Sequence, residues 1–536
     1  MPEMRFHLRW PDGTTAACYS PSLVVEEHLQ PGACYPLAEF VARSREALQA
    51  ASARVRAKYG FPCARALRQL EEIERRAASF AGAADAVVAV LGFDRDVGAP
   101  FPPPVVPIRR DAPRQVPVII IGGGQAGLSL SWYLRRKGVE HVILERYVAG
   151  YAWRAERWDS FCLVTPNWQC RLPGFSYADF GGRDPHGFML RGEIVEYIDA
   201  YIASFDPPVL AGIEVLKLSR GPQGEFRLST SAGDYAAAQV VVATGGYHEP
   251  IVPPYAAALD ADIVQLHSSE YRNPGDLPPG EVLVVGSGQS GCQIAEDLHL
   301  EGRRVHLCVG NAPRVARRYR GKDVVEWLDL MGYYDIPVER HPLREGVRDK
   351  TNHYVTGRDG GRDIDLRQRA LEGMRLYGPL AGIEPGRLLF TPELRANLDA
   401  ADEVSESIKR SIDTFIAAEG LSAPTEPPYL ALWQPEAETA ALDHRAANIR
   451  SVIWCIGFRT NFRWIDLPVF DGRGAPLHAR GVTPEEGLYF LGLPWLHSWG
   501  SGRFSGIARD AAYLAERIAD RTPRMQAAHT IASAAP

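Results

Sequence analysis

The sequence predicts an α/β protein with two parallel-sheet units, one inserted in the other, behind a small α+β module. Three observations predict it. A glycine-rich turn occurs twice, as Gly122-Gly123-Gly124-Gln125-Ala126-Gly127 and Gly286-Ser287-Gly288-Gln289-Ser290-Gly291. Each turn follows a short apolar run (Val116–Ile121, then Val282–Val285) and opens an amphipathic stretch, so each lies where a strand passes into a helix. Two further apolar runs, Val240–Gly246 and Ser451–Gly457, end in small residues, as buried strands that close a sheet do.

Taken in order, residues 1–95 form the small α+β module. Met4, Phe6, Leu8 and Trp10 alternate with Arg5, His7 and Arg9, the pattern of a strand with one buried face. Pro11-Asp12-Gly13 supplies a turn, Thr14–Tyr19 a partner strand, and Tyr19–Ser22 a cap. Helices are marked by Leu37, Phe40, Val41, Leu48 and Val55, then by Leu67, Leu70, Ile73 and Phe80; Ala86–Leu91 rejoins the sheet. Residues 96–114 are proline-dense and predict a stiff, extended linker. The first parallel-sheet unit spans 115–260, the second 261–440 with a charged helical region over about 322–425, and the chain returns to the first over 441–521. Residues 522–536 lack periodicity and predict a flexible tail.

The turns carry chemistry because of what each glycine permits. The first (Gly122, Gly286) allows the tight turn, the second (Gly124, Gly288) lets backbone approach a pyrophosphate, and the third (Gly127, Gly291) lets helix pack on strand. Gln125, Gln289 and Ser290 then begin helices whose free N–H groups and positive dipole end attract phosphate. Both units are therefore read as Rossmann-like dinucleotide-binding domains. Their ligands differ. After the first turn the strand Val142–Leu144 delivers Glu145, followed by Arg146, at the spacing of a carboxylate that accepts ribose hydroxyls; FAD suits it. After the second no acid follows the strand, and Arg304, Arg317 and Arg318 are expected to favour a ribose 2′-phosphate, hence NADPH.

Composition excludes several classes. At 536 residues the chain is too long for one core, and its net charge of −6 gives no support for nucleic-acid binding. No run approaches bilayer length and Met1–Trp10 lacks a signal-peptide core, so no membrane partner and a cytoplasmic location are expected. The eight cysteines form no C-x-x-C pair and no Cys/His metal spacing, which argues against both a dithiol relay and a metal site.

These residues together resemble the class B flavin monooxygenases and their bacterial relatives. The resemblance spans about 115–520 and rests on both fingerprints, Gly150-Tyr151-Ala152-Trp153-Arg154, Ala243-Thr244-Gly245, and His267-Ser268-Ser269-Glu270-Tyr271-Arg272. Ala261 and Ile263 depart from that group's linker motif, where Phe and Gly are usual. Arg157–Gly174 and Gly487–Tyr513 look more specifically like a bacterial flavin-dependent oxidoreductase family that accompanies nitrilase and radical-SAM genes, and the N-terminal module resembles a nitrogen-starvation-responsive family from the same clusters. The resemblance implies an NADPH- and O2-dependent FAD monooxygenase acting on a small metabolite, nitrogen-containing ones included, through a C4a-(hydro)peroxyflavin. It also implies FAD contacts for Trp153, Arg154, Thr165, Ala243, Thr244 and Gly245, and for the returning Gly457, Ser505 and Gly506. Asn167, which follows Pro166, and His267 are the candidates for a catalytic role, each with a structural alternative: a turn-stabilising amide and an interdomain linker. A flavin oxidase or halogenase, or a redox-sensing flavoprotein whose N-terminal module binds a partner, are the rival readings. The sequence leaves a homo-oligomer open.

Overall fold

The computed structural model describes residues 4–12, 14–59, 64–80, 86–94 and 113–533. By its internal contacts the chain divides into two units, 1–109 and 110–536.

In the first unit, β1 (Met4–Arg9) pairs antiparallel with β2 (Thr15–Ser20) and with β4 (Val87–Asp94), which in turn pairs with β3 (Cys34–Pro36). The sheet order is therefore β2-β1-β4-β3. Met4, Phe6 and Leu8 are fully buried and Trp10 nearly so, as the alternation requires. They pack on Phe40, Ala47 and Leu48 of α1 (Leu37–Tyr59) and on Leu70 and Ile73 of α2 (Ala64–Ala78). The expected cap is not made: Ser22 Oγ accepts from Val24 N–H at 3.2 Å in a local turn, and the short helix Val25–His28 that follows has no side-chain cap bond, because its N-cap residue is Val24. Gly13, the side chains of Val55 and Leu67, and the linker 96–114 up to residue 112 lie outside the described residues.

The second unit holds two sheets. In the first, β5 (Arg114–Ile121), β6 (His141–Glu145) and β7 (Val209–Ala211) run parallel, and a meander, β8 (Val215–Arg220), β9 (Phe226–Thr230) and β10 (Gly233–Val242), joins β5 from the other side. Strand β5 is apolar at successive positions because both of its faces are covered. Val118 and Ile120 pack toward α3 (Gln125–Arg136), while Ile119 and Ile121 face the meander side with Leu218, Phe226 and Phe462.

The second sheet is parallel throughout: β11 (Val264–His267), β12 (Glu281–Val285), β13 (Val305–Cys308), β14 (Arg375–Tyr377) and β15 (Ile449–Trp454), in the order β11-β15-β12-β13-β14. It repeats the same division of faces. Val282 and Val284 pack on α6 (Gln289–Leu300), which follows α4 (Tyr151–Ala155) and α5 (Arg191–Phe205) in the chain, and Leu283 and Val285 face Leu380, Phe390 and Trp454.

Three sequence expectations change. The boundary at 441 falls too early, since β15 pairs with β11 and β12 in the second sheet and only β16 (Leu488–Phe490) returns to the first, beside β10. The periodicity of 451–457 fits a strand of either sheet, and register alone decides. The region 322–425 contains one long helix, α7 (Leu394–Ala418), with shorter turns and strands before it. The last helix, α8 (Ile507–Ser533), takes in most of the segment expected as a tail. Among the described residues no helix is long and apolar enough to cross a membrane.

Candidate functional site

The two glycine turns have the same construction, one in each sheet. Gly122 (φ +110°) and Gly286 (φ +103°) need the left-handed region, and a Cβ there would stand 2.6 Å from the Ala243 carbonyl oxygen or 2.7 Å from that of Cys455. At Gly127 and Gly291 a Cβ would meet the carbonyl oxygen of the first glycine at 2.0 and 1.9 Å, so helix and strand approach as closely as backbone permits. At Gly124 nothing lies within 4 Å. That opening at the N-terminus of α3 is a cradle that a side chain would fill and that a pyrophosphate fits.

Glu145, at the end of β6, receives Gly123 N–H at 2.6 Å on one oxygen and Tyr147 N–H at 2.9 Å on the other. Its carboxylate is thus anchored beside the turn, where a ribose hydroxyl is expected. Arg146 stays about half exposed, 3.5 Å from Glu214 and over the Tyr147 ring. Gln125 joins the turn to two other segments, donating to the Gly502 carbonyl at 3.1 Å and accepting from Trp153 Nε1 at 3.0 Å. Trp153 in turn stacks on Phe504 with ring centroids 5.5 Å apart. Arg154 is held by Asp199 and the Ala149 carbonyl, and Thr165 is buried. Ala243 and Thr244 line the back of the turn, with Gly245 just beyond at φ +73°. Ser505 Oγ is buried without a hydrogen-bond partner, and Gly506 packs so tightly on Gly500 that a Cβ would come within 2.6 Å. An orphaned hydroxyl beside an open glycine cradle is consistent with a bound polar ligand at this end of the sheet.

The second turn has a different surrounding. Among the described residues no carboxylate caps it; Ser287 Oγ accepts from Gly310 N–H at 2.9 Å instead. The segment 351–355 lies over it. Thr351 Cγ2 would be 3.9 Å from a Cβ at Gly288, Gln289 and Gln293 both donate to the Val355 carbonyl, and Ser290 is half-exposed at the first turn of α6. Asn352, from the same segment, accepts from Arg503 Nη2 at 2.8 Å. A continuous series of contacts therefore runs from one cradle to the other, through Gln125, Gly502, Arg503, Asn352 and Thr351.

The arginines expected at the second turn are each held by other partners. Arg304 precedes β13 and pairs with Glu281 at 3.3 Å, at the opposite end of a strand roughly 13 Å long. Arg317 is buried, paired with Asp323 at 2.7 Å and bonded to the Val164 carbonyl at 2.8 Å, so it ties elements together. Arg318 reaches the Gly360 carbonyl at 3.2 Å. Sequence proximity to the turn misled for Arg304, because a strand displaces its two ends by its whole length.

The two catalytic candidates are also committed elsewhere. Asn167 is buried; its Nδ2 donates to the Asp184 carbonyl at 2.9 Å and its Oδ1 accepts from Met189 N–H at 2.9 Å. His267 is buried with Nδ1 on Ser269 Oγ at 2.9 Å and Nε2 on the Gly457 carbonyl at 3.1 Å. Burial holds its pKa below the usual histidine range, and the neutral ring pins the end of β11 to the loop after β15, where Gly457 takes φ +90°. The structural alternative fits both residues.

Thr351, Asn352, Gly502 and Arg503 were not singled out from the sequence, nor were Arg157 and Tyr247. Segment 351–355 carries no motif, and the Gly502 contribution is a backbone carbonyl, which sequence does not encode.

Residues 5–93 match the family of the nitrogen starvation-induced protein NitG, and residues 119–329 match the pyridine nucleotide-disulphide oxidoreductase family. An oxidoreductase named CzcO-like, from Geobacillus kaustophilus (strain HTA426), is 32% identical over 75% of this chain and 98% of its own. A probable indole-3-pyruvate monooxygenase of Arabidopsis thaliana, YUCCA3, is 26% identical over 75% of this chain and 86% of its own. Among solved structures, a flavin-containing monooxygenase from Stenotrophomonas maltophilia shares the fold, with a TM-score of 0.53 at 21% identity over 76% of this chain and 99% of that one. The chain belongs to the CzcO-like oxidoreductases within the class B flavin monooxygenase family, FAD-dependent oxidoreductases whose cofactors are FAD and NADPH.

Proposed function

We propose that this protein is an NADPH- and O2-dependent FAD monooxygenase that oxygenates a small metabolite, FAD lying at the Gly122–Gly127 turn and NADPH at the Gly286–Gly291 turn. The observation that carries this reading is the pair of glycine cradles joined by the contacts from Gln125 to Thr351. FAD, when bound and reduced, supplies the oxygen chemistry. The chain's own residues do the rest. Gly124 and the N-terminus of α3 receive the pyrophosphate, Glu145 accepts the ribose hydroxyls, and Gly288 and α6 perform the first of these tasks for the second nucleotide. The stacked pair Trp153–Phe504 and the Trp499–Tyr334 pair, 4.4 Å between centroids, surround the joining contacts with apolar surface and exclude water.

Electrons passing to oxygen and not to a dithiol accords with the cysteines. Burial pushes the Cys162 and Cys170 thiols up to about 12, and those of Cys18, Cys292, Cys308 and Cys455 upward as well. None of these six is poised as a thiolate. A relay thiol needs the opposite environment.

Anaerobic stopped-flow mixing with NADPH tests the proposal. The flavin absorbance is expected to bleach and to recover on addition of oxygen, with 18O from O2 entering a product once a substrate is supplied. Failure of NADPH to bleach the flavin would remove the monooxygenase reading. Bleaching followed by stoichiometric hydrogen peroxide under every substrate tried would replace it with an oxidase.

A further inference from the structure

Most of the buried arginines among the described residues are paired to acids. Arg314 meets Asp402, Arg317 meets Asp323, Arg358 meets Asp297, and Arg367 meets Asp399 and Asp402, at 2.6–2.9 Å. Arg157 and Arg503 have no ion pair among the described residues. Arg157 donates through Nη1 to the Glu156 carbonyl at 2.8 Å and lies 5.2 Å from the Trp153 ring centroid and 5.8 Å from that of Phe161. The Glu156 carboxylate acts on it through space without forming a salt bridge. Arg503 donates to the Trp499 carbonyl at 2.6 Å and to Asn352 Oδ1 at 2.8 Å, and its guanidinium lies 3.8 Å from the Trp499 ring centroid. Each guanidinium has five N–H donors, so most of them remain unspent.

The two are connected through one run of aromatic contacts. Arg157 lies over Trp153, Trp153 stacks on Phe504, and Phe504 is the neighbour of Arg503 in sequence. Both guanidiniums interact electrostatically with the hydroxyl of Tyr247, an exposed residue just after the Gly245-Gly246 turn. Each is partly accessible while crowded by protein, which is the position of a group lining an interior cleft. Enclosure depresses both pKa values through loss of hydration. A charge held in that way without a counter-charge is costly unless something supplies one.

Resting on the FAD and NADPH assignment above, we propose that Arg157 and Arg503 form an anion subsite that receives a carboxylate of the substrate against the Trp153–Phe504 wall. The planar guanidinium fork matches a carboxylate, and an aromatic wall holds the apolar body of the same molecule. The substrate is then a small organic acid, amino acids included.

The test uses the FAD-loaded full chain and two isosteric probes, benzoate and benzamide, titrated by calorimetry and by perturbation of the flavin spectrum. Benzoate is expected to bind at least tenfold more tightly than benzamide. Arg157→Gln and Arg503→Gln are each expected to remove that preference, with Arg157→Lys keeping part of it. Anaerobic reduction by NADPH supplies the second arm, in which the loss of benzoate affinity should exceed any loss of NADPH affinity by tenfold or more. Equal binding of the two probes by the unaltered protein overturns the proposal, and this comparison needs no variant to fold. A loss larger for NADPH than for benzoate also overturns it and assigns the arginines to the cofactor. Failure of NADPH to reduce the flavin would count against the functional reading alone, because calorimetric binding of benzoate does not depend on it.

Discussion

The two glycine turns share a backbone and differ in what stands over them. The first is open at Gly124, capped by a carboxylate, and reached by the Gly502 carbonyl through Gln125. In the second the bond runs the other way, from Gly310 N–H after the strand to Ser287 Oγ within the turn, and the segment 351–355 approaches it. On the proposed assignment the same strand-turn-helix geometry serves two ligands, and the distinction is made by residues outside the turns. An open, charge-capped turn suits a resident cofactor held through many turnovers. A turn beneath a separate segment suits a nucleotide that enters and leaves.

The largest test of this comparison is at the third glycines. Gly127→Ala is expected to force helix from strand, costing about 3 kcal/mol or more because the clash is with backbone, and to yield protein without yellow colour. Gly291→Ala, with the same clash, should keep its FAD and lose reduction by NADPH. If both variants lose FAD equally, the two turns are not independent sites. Gly124→Ala adds a methyl to open space, so thermal stability should hold while FAD affinity falls tenfold or more.

Glu145→Gln sharpens the difference in charge. It keeps the shape of the side chain, but its amide nitrogen cannot accept, so one of the two backbone hydrogen bonds is lost and the other, like the ribose contact, weakens, for a loss of about 1–2 kcal/mol. FAD retention during gel filtration should fall and the NADPH concentration for half-maximal reduction should not.

His353, in the segment over the second turn, gives a pH handle. Burial brings its pKa from the usual 6.5 down to about 4. A depressed folded-state pKa means the unfolded chain binds the proton more readily, so stability present above about 6.5 is lost as pH falls toward 4. The loss is about 1–2 kcal/mol after allowance for partial exposure. Urea midpoints of wild type and His353→Gln at pH 7 and pH 4.5 check it: the wild type should lose more on acidification, and parallel losses would place the acid sensitivity elsewhere.

The smallest effect is expected from Arg304→Gln. At the far end of β13 it should leave the ratio of NADPH to NADH efficiency within twofold, whereas a switch toward NADH would restore the reading from sequence proximity.

Local rules made the strands, turns and helix starts legible. Val118 and Ile120 against Ile119 and Ile121 reveal a sheet covered on both sides, and positive φ at Gly122 and Gly286 is what the fingerprint demands. Glu145 was legible because a fixed number of residues separates it from the turn along one strand and one helix. Sheet membership of Ser451–Gly457 was not, because its apolar pattern suits either sheet and pairing is decided by partners more than a hundred residues away. The hydrogen-bond partners of Asn167 and His267 were not legible for a related reason. Residue type indicates what a side chain can bond to, but only the fold shows that Met189, Asp184, Ser269 and Gly457 have already claimed those atoms.

The hydrogen bond from Arg503 to Asn352 links the segment beside one nucleotide turn to the segment over the other. Thermodynamic reciprocity then governs the pair: whatever factor an occupied first turn contributes to affinity at the second must be returned in full. Measuring how strongly FAD retention depends on NADP+, in the wild type and in Asn352→Ala, therefore reads how much of that coupling this hydrogen bond carries.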